Sequence, residues 1–241
     1  MATLRITPSF DPYDTQAVLH QVDRHPVLVL SLCALALIGN YIFWIENLRH
    51  GFRSKTYSMP VPCILFFLAH DLSFVAGYRT WFHDIHHWFP ELWWFGLTVT
   101  VLMELAFLTM FLKFGRQELA PRLTPRAFVT ATAVGFAFTM VAWLVIKSVM
   151  ADQLYLVIFG FTVFWCAPWY FALTWRRANP AGQTILGWAG YLMMPVFYWP
   201  ATMILSDTFR SPIWIALGIA TLSGGVINLA YVRQLNLSRR A

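Results

Sequence analysis

His70 and Asp71 stand side by side inside the apolar run FFLAHDLSFVAGYR (66–79), and Glu104 stands inside the next one, WWFGLTVTVLMELAFL (93–108). An ionisable side chain in hydrocarbon costs roughly 2.5–3.5 kcal/mol even on the lenient insertion scale, so it is rarely retained without a partner or a task. Two carboxyls beside a histidine in apolar surroundings have their proton affinities driven apart. One can then give a proton while another takes one, which is the general acid and base arrangement. Asp71 is the expected proton donor, with His70 tuning it and Glu104 as counter-acid or base. At helical spacing Asp71 shares a face with Phe67, Phe74, Val75 and Tyr78, and Glu104 shares one with Leu97, Thr100, Phe107 and Phe111. Phe67, Phe74 and Thr100 are therefore expected beside a substrate. The same acids also admit a packing role, hydrogen-bonded between helices through Asn40, Thr100 or Asn228.

The elements that must position these residues follow from composition. Of 241 residues 59% are hydrophobic and only 12% charged, too much apolar surface for a soluble core. A helix needs about 20 apolar residues to cross roughly 30 Å of hydrocarbon. Seven runs qualify: Pro26 to Glu46, Met59 to Tyr78, Leu92 to Phe114, Ala127 to Ser148, Gln153 to Trp175, Thr184 to Leu205 and Pro212 to Val232. The expected fold is all-α, a polytopic seven-transmembrane-helix bundle over residues 26–233. A short external segment (1–25) precedes it and a cytoplasmic tail (234–241) follows. No cleavable leader is apparent, and the first run itself would direct insertion.

The formal charge of +6 raises the question of an anionic partner. Its distribution answers it. Arg49, Arg53, Lys55, Lys113, Arg116, Arg122, Arg126, Arg176, Arg177, Arg233, Arg239 and Arg240 follow the odd-numbered runs, 12 of the 17 basic residues. That is the positive-inside pattern, with the N-terminus out, the C-terminus in and the plasma (inner) membrane as the expected location. Nucleic-acid binding gains no support. Cys33, Cys63 and Cys166 all fall in apolar runs, an odd number with no metal-ligand spacing and no disulfide framework.

Other chemistry-bearing residues are more diffuse. The sixth run contains MMPVFYWPAT, whose Pro195 and Pro200 free backbone carbonyls at membrane depth, tolerated only where protein or a cavity covers them. Beside them Tyr191, Tyr198 and Trp199 are expected to line a pocket, where ring faces can stabilise a carbocation. Asn40 in the first run and Asn228 in the seventh complete the expected substrate-binding set. The loop Thr80 to Pro90 holds His83, His86 and His87, the H-x-x-H-H spacing of a histidine box in membrane desaturases and hydroxylases. No further box supplies the remaining ligands of a diiron site, so an interfacial histidine cluster without metal is the expectation. No internal repeat of the kind that marks many transporters is visible.

Several short patterns resemble the small seven-helix integral membrane terpene cyclases of fungal meroterpenoid and indole-diterpene pathways and their bacterial relatives. Glu104 followed by Lys113, Phe114 and Gly115 is similar to that family's acid-to-K-[YF]-G pattern, and Asn228-Leu-Ala-Tyr231 is similar to its D-x-x-Y. The family's second-span W-E acid falls here at Leu72 and Ser73, and its seventh-span aspartate at Asn228. Asp71, one residue away, and Glu104 would stand in for that pair. The resemblance implies an isoprenoid-type substrate entering from the bilayer, without metal or nucleotide cofactor. The leading expectation is thus an integral membrane enzyme, of isomerase or lyase type, performing acid-base cyclisation, isomerisation or epoxide opening on a hydrophobic isoprenoid-like molecule. The alternatives are a proton-coupled transporter or lipid-binding protein, and a histidine-box oxidoreductase.

Overall fold

A computed structural model describes residues 13–238. Among these the chain is all-helical, with no strand. An amphipathic helix, α1 (Thr15–Arg24), is followed by α2 (Pro26–Ser54), α3 (Val61–Ala76), α4 (Trp88–Leu119), α5 (Pro125–Met150), α6 (Leu156–Arg177), α7 (Ile185–Leu205) and α8 (Pro212–Ser238). A π-helical turn, Thr80–Ile85, joins α3 to α4, and a 3-10 turn, Asp207–Arg210, joins α7 to α8. The boundaries carry the expected local chemistry. Asp14 caps α1 by accepting from the N–H groups of Gln16 and Ala17, Thr124 caps α5 ahead of Pro125, and Thr184 caps α7.

Helices α2 to α8 coincide with the seven apolar runs. Five of them, α2, α4, α5, α6 and α8, are long and apolar enough to cross a membrane. The protein is therefore an integral membrane protein. Helix α3 has 16 residues, a length of about 24 Å at 1.5 Å per residue, and is the short one. Pro195 and Pro200 lie inside a continuous α7, and Pro168 inside a continuous α6. The expected tail from 234 begins as the last turns of α8, which runs to Ser238. Residues 1–12 of the expected external segment and 239–241 of the tail lie outside the described residues.

The tightest seam is the crossing of α2 with α7. A Cβ on Gly39 would sit 2.6 Å from the Gly190 carbonyl oxygen, and one on Gly190 would sit 2.8 Å from the Gly39 carbonyl oxygen, so the two backbones touch where only glycine fits. Below this contact Phe43, Tyr170, Trp188 and Tyr191 form one aromatic layer with ring centroids 5.0–5.5 Å apart. Helix α8 closes on α7 by seating Gly218 over Trp199 and Gly225 over Tyr191. Helix α5 packs on α3 and α4 at the edge. It buries only Phe128 and Trp143 and exposes Val134, Phe138, Val141 and Val149. In water that face would be a large apolar patch; in lipid it is the solvent-facing side.

The two ends differ. At one, α1 lies across the bundle: Tyr13 donates to Asp152 at 2.5 Å, and Trp88 Nε1 donates to Asp23 at 2.8 Å. At the other, Glu118 at the end of α4 accepts from Arg177 at 2.7 Å and from Arg176, which also donates to Tyr57. That second end carries the basic turns that follow α2, α4 and α6.

Candidate functional site

Asp71 sits at the centre of the polar interior. His70 Nδ1 shares a hydrogen bond with its Oδ1 at 2.5 Å, and the Thr100 hydroxyl donates to its Oδ2. The adjacent positions on α3 would normally face different ways, but the imidazole is long enough to turn back along the helix toward its neighbour's carboxyl. Thr100 Oγ1 also lies 2.8 Å from the Leu97 carbonyl. A hydroxyl has one proton, so it can serve only one of these acceptors at a time. When it turns to Leu97, its lone pair is open to a proton on Asp71. The Asp71–Thr100 contact therefore suits either charge state of the aspartate.

Glu104, one turn from Thr100 on α4, is fully buried. No protein group bonds to either of its oxygens. It lines one cavity with Asp71, Asn40, Trp44, Phe67, Phe159, Thr162, Val163, Cys166 and Met194, contributed by α2, α3, α4, α6 and α7. The cavity volume is about 30 Å³, room for one or two water molecules. An ionised carboxylate there would be buried with no protein hydrogen bond and with Asp71 facing the same space. The acid form is the one these surroundings accommodate at least cost.

His70 lies behind Asp71. Its ring is caged by Trp143, Tyr155 and Phe159, at centroid distances of 4.9, 5.4 and 6.0 Å, and its Nε2 has no hydrogen-bond partner. Ser73 locks the cage. It donates to the His70 carbonyl at 2.8 Å, accepts from Trp143 Nε1 at 2.7 Å and bonds the Tyr155 hydroxyl at 3.1 Å. Tyr155 holds its place with φ +62°, a left-handed conformation that a bulky residue adopts only under surrounding constraint.

The sequence-derived candidates thus divide. Asp71, Glu104, Asn40 and Phe67 share the cavity, with His70 and Thr100 bonded to Asp71. Phe74 does not join them: it stacks on Trp81 at 4.2 Å, toward the α1 end. Tyr191 donates to the Val163 carbonyl, Tyr198 to the Leu156 carbonyl and Trp199 to the Trp214 carbonyl; none of the three lines the cavity, although Tyr191 and Tyr198 pack behind its wall residues Val163 and Phe159. Asn228 bridges α8 to α6 through the Ala167 carbonyl at 2.9 Å. Each of these rings satisfies its own polar atom on a nearby carbonyl, as a buried tyrosine or tryptophan usually does. The histidine loop is likewise dispersed. His86 pairs with Glu91 at 3.3 Å, His87 with Asp23 at 3.3 Å, and His83 packs on Tyr78. Among the described residues no three His, Cys, Asp or Glu gather at metal-binding distance.

Two groups went unread in the sequence. The cavity wall from α6, Phe159, Thr162, Val163 and Cys166, follows i, i+3, i+4, i+7 spacing, and the polar Thr162 and Cys166 within that stripe were its signal. Asp152, at the α5–α6 junction, is buried and binds Tyr13 and the Ile158 N–H. Burial raises its carboxyl above the usual range, against the pull of Tyr13 and of the Ile158 and Val157 N–H groups.

No known protein family, no curated protein and no solved structure matches this chain.

Proposed function

We propose that this protein is a seven-span membrane enzyme, with its N-terminus outside and its C-terminus inside the plasma membrane. On this reading it carries out acid-base chemistry by side chains alone on a hydrophobic, isoprenoid-like substrate: cyclisation, isomerisation or epoxide opening. The observation that carries this reading is the unequal pair of carboxyls on one buried cavity, Asp71 held on both oxygens and Glu104 held on neither. The pair suggests an exchange of the roles expected from sequence. Glu104 is the proton donor, because its acid form is the cheaper one there. Asp71, with the Thr100 hydroxyl and His70 Nδ1–H ready to steady a negative charge, takes a proton back. Asn40 supplies an amide in the same wall to orient a polar group on the substrate. Trp44, Phe67 and Phe159 offer ring faces to developing positive charge.

Membrane vesicles or proteoliposomes containing the protein, supplied with the lipid that copurifies with it, test the proposal. A product of changed mass or retention time, lost in Glu104→Gln and Asp71→Asn, is the expected result. Full turnover by both variants would refute it. Proton-coupled uptake of a chemically unchanged molecule would replace it with transport.

A further inference from the structure

The cavity that holds the two carboxyls is far smaller than any isoprenoid. At about 30 Å³ it admits water, whereas a cavity of about 150 Å³ is what accepts a ring the size of benzene. The missing volume lies on the other side of one side chain. Phe67 lines this cavity and also an apolar groove of about 210 Å³ formed with Pro62, Cys63, Phe66, Trp165 and Trp169. The groove runs between α3 and α6 on the lipid-facing surface, where Trp165 and Trp169 are 43% and 40% exposed. Helix α5 contributes no residue to its lining. A second contact joins the two spaces: Cys63 on the groove side meets Cys166 on the cavity side. The Phe67 ring has Trp44 stacked on its inner side, 6.1 Å away and nearly parallel, and the groove on its outer side. Phe67 is the one residue that lines both spaces.

Resting on the acid-base reading, we propose that the α3–α6 groove seats the hydrocarbon tail of the substrate and that Phe67 gates the passage of its head to the carboxyls. The lining also restricts the head. The inner cavity carries two carboxyls and no lysine or arginine, so a diphosphate or carboxylate head would meet like charge with no cation to balance it. The substrate class is therefore an amphiphile with a hydrocarbon tail and a small head that carries no negative charge, such as an alcohol, an epoxide or an alkene terminus.

The test is photolabelling of the full-length protein in phosphatidylcholine nanodiscs with a farnesol analogue bearing a diazirine at its tail, followed by peptide mass spectrometry. Label is expected on the α3 and α6 groove residues. Trp165→Ala should cut it by on the order of tenfold, the scale of one lost aromatic contact; with the diazirine moved beside the hydroxyl, Phe67→Ala should raise labelling of the Glu104 peptide of α4. The diphosphate form of the same probe should leave the groove unlabelled. Asp71→Asn and Glu104→Gln should not change groove labelling, so a failure of the acid-base reading is distinguishable from a failure of this one. Label spread as heavily over the lipid-facing side of α5 as over the groove would overturn the proposal, by making the groove ordinary lipid contact. So would protection of the groove by a second copy of the chain, detected as a crosslinked dimer.

Discussion

Glu104→Leu separates a catalytic carboxyl from a structural one, because the two predict opposite changes in stability. Glu104 is wholly buried, and neither oxygen receives a hydrogen bond from the protein. Leaving a buried polar group unsatisfied costs about 1–3 kcal/mol, and replacing it by an apolar group of similar shape removes that cost. Leucine at this position forfeits no protein hydrogen bond. The variant should therefore be more stable by about 1–3 kcal/mol, which for a chain of this size corresponds to a rise in Tm of roughly 2–12 °C. Thermal unfolding in detergent, followed by near-ultraviolet circular dichroism, measures the shift. Product formation from the copurifying lipid, followed by mass spectrometry, should be abolished in the same preparation. Stability given up for a task is the usual signature of a functional site. A fall in Tm would refute the reasoning, since it would mean that Glu104 makes stabilising bonds; so would a stabilised variant with undiminished turnover.

Three further outcomes follow from the geometry. Gly190→Val places a branched side chain against the Gly39 carbonyl and Ile42, and it should destabilise the α2–α7 crossing by about 1–3 kcal/mol or more, seen as a lower Tm and a larger aggregated fraction on size exclusion. Tyr13→Phe removes the hydroxyl that donates to Asp152 and accepts from the Leu154 N–H. The orphaned groups should cost about 1–3 kcal/mol and speed proteolytic cleavage around α1. The Trp88 indole N–H, aided by His87, holds the Asp23 carboxyl below its ordinary value of 3.8. A depressed folded value means that this tie is intact above pH 3.8 and weakens as pH falls through the folded value. Hydrogen exchange over α1, corrected for intrinsic rates, should rise in that range, and Asp23→Asn should flatten the pH dependence.

Much of the architecture was legible because lipid imposes a simple rule: backbone polar groups must be satisfied within each segment, so long apolar runs have little choice but to be helices. Pro26 and Pro212 begin both the apolar runs and the helices. Asp71, His70 and Glu104 stood out for the same reason, as charges where charge is expensive. Their neighbours were harder. Phe74, Tyr191, Tyr198, Trp199 and Asn228 have types that fit a pocket and a seam equally well, and only packing distinguishes the two. Asp152 was overlooked because it falls between runs, where an acid is ordinarily unremarkable, and its burial depends on Tyr13, 139 positions away.

The sequence by itself determined the solvent, the secondary structure and which ionisable residues would be buried at the bundle's centre, since each follows from the cost of a polar group in hydrocarbon and is local to its own segment. Only the tertiary structure decided that Asp71 is bonded on both oxygens while Glu104 is bonded on neither, that α6 supplies the facing wall, and that Phe67 is the partition between the polar cavity and the lipid-side groove. Those facts depend on the rotation of each helix about its axis and on which faces meet. Both are fixed by contacts such as Gly39 on Gly190, between residues far apart in the chain.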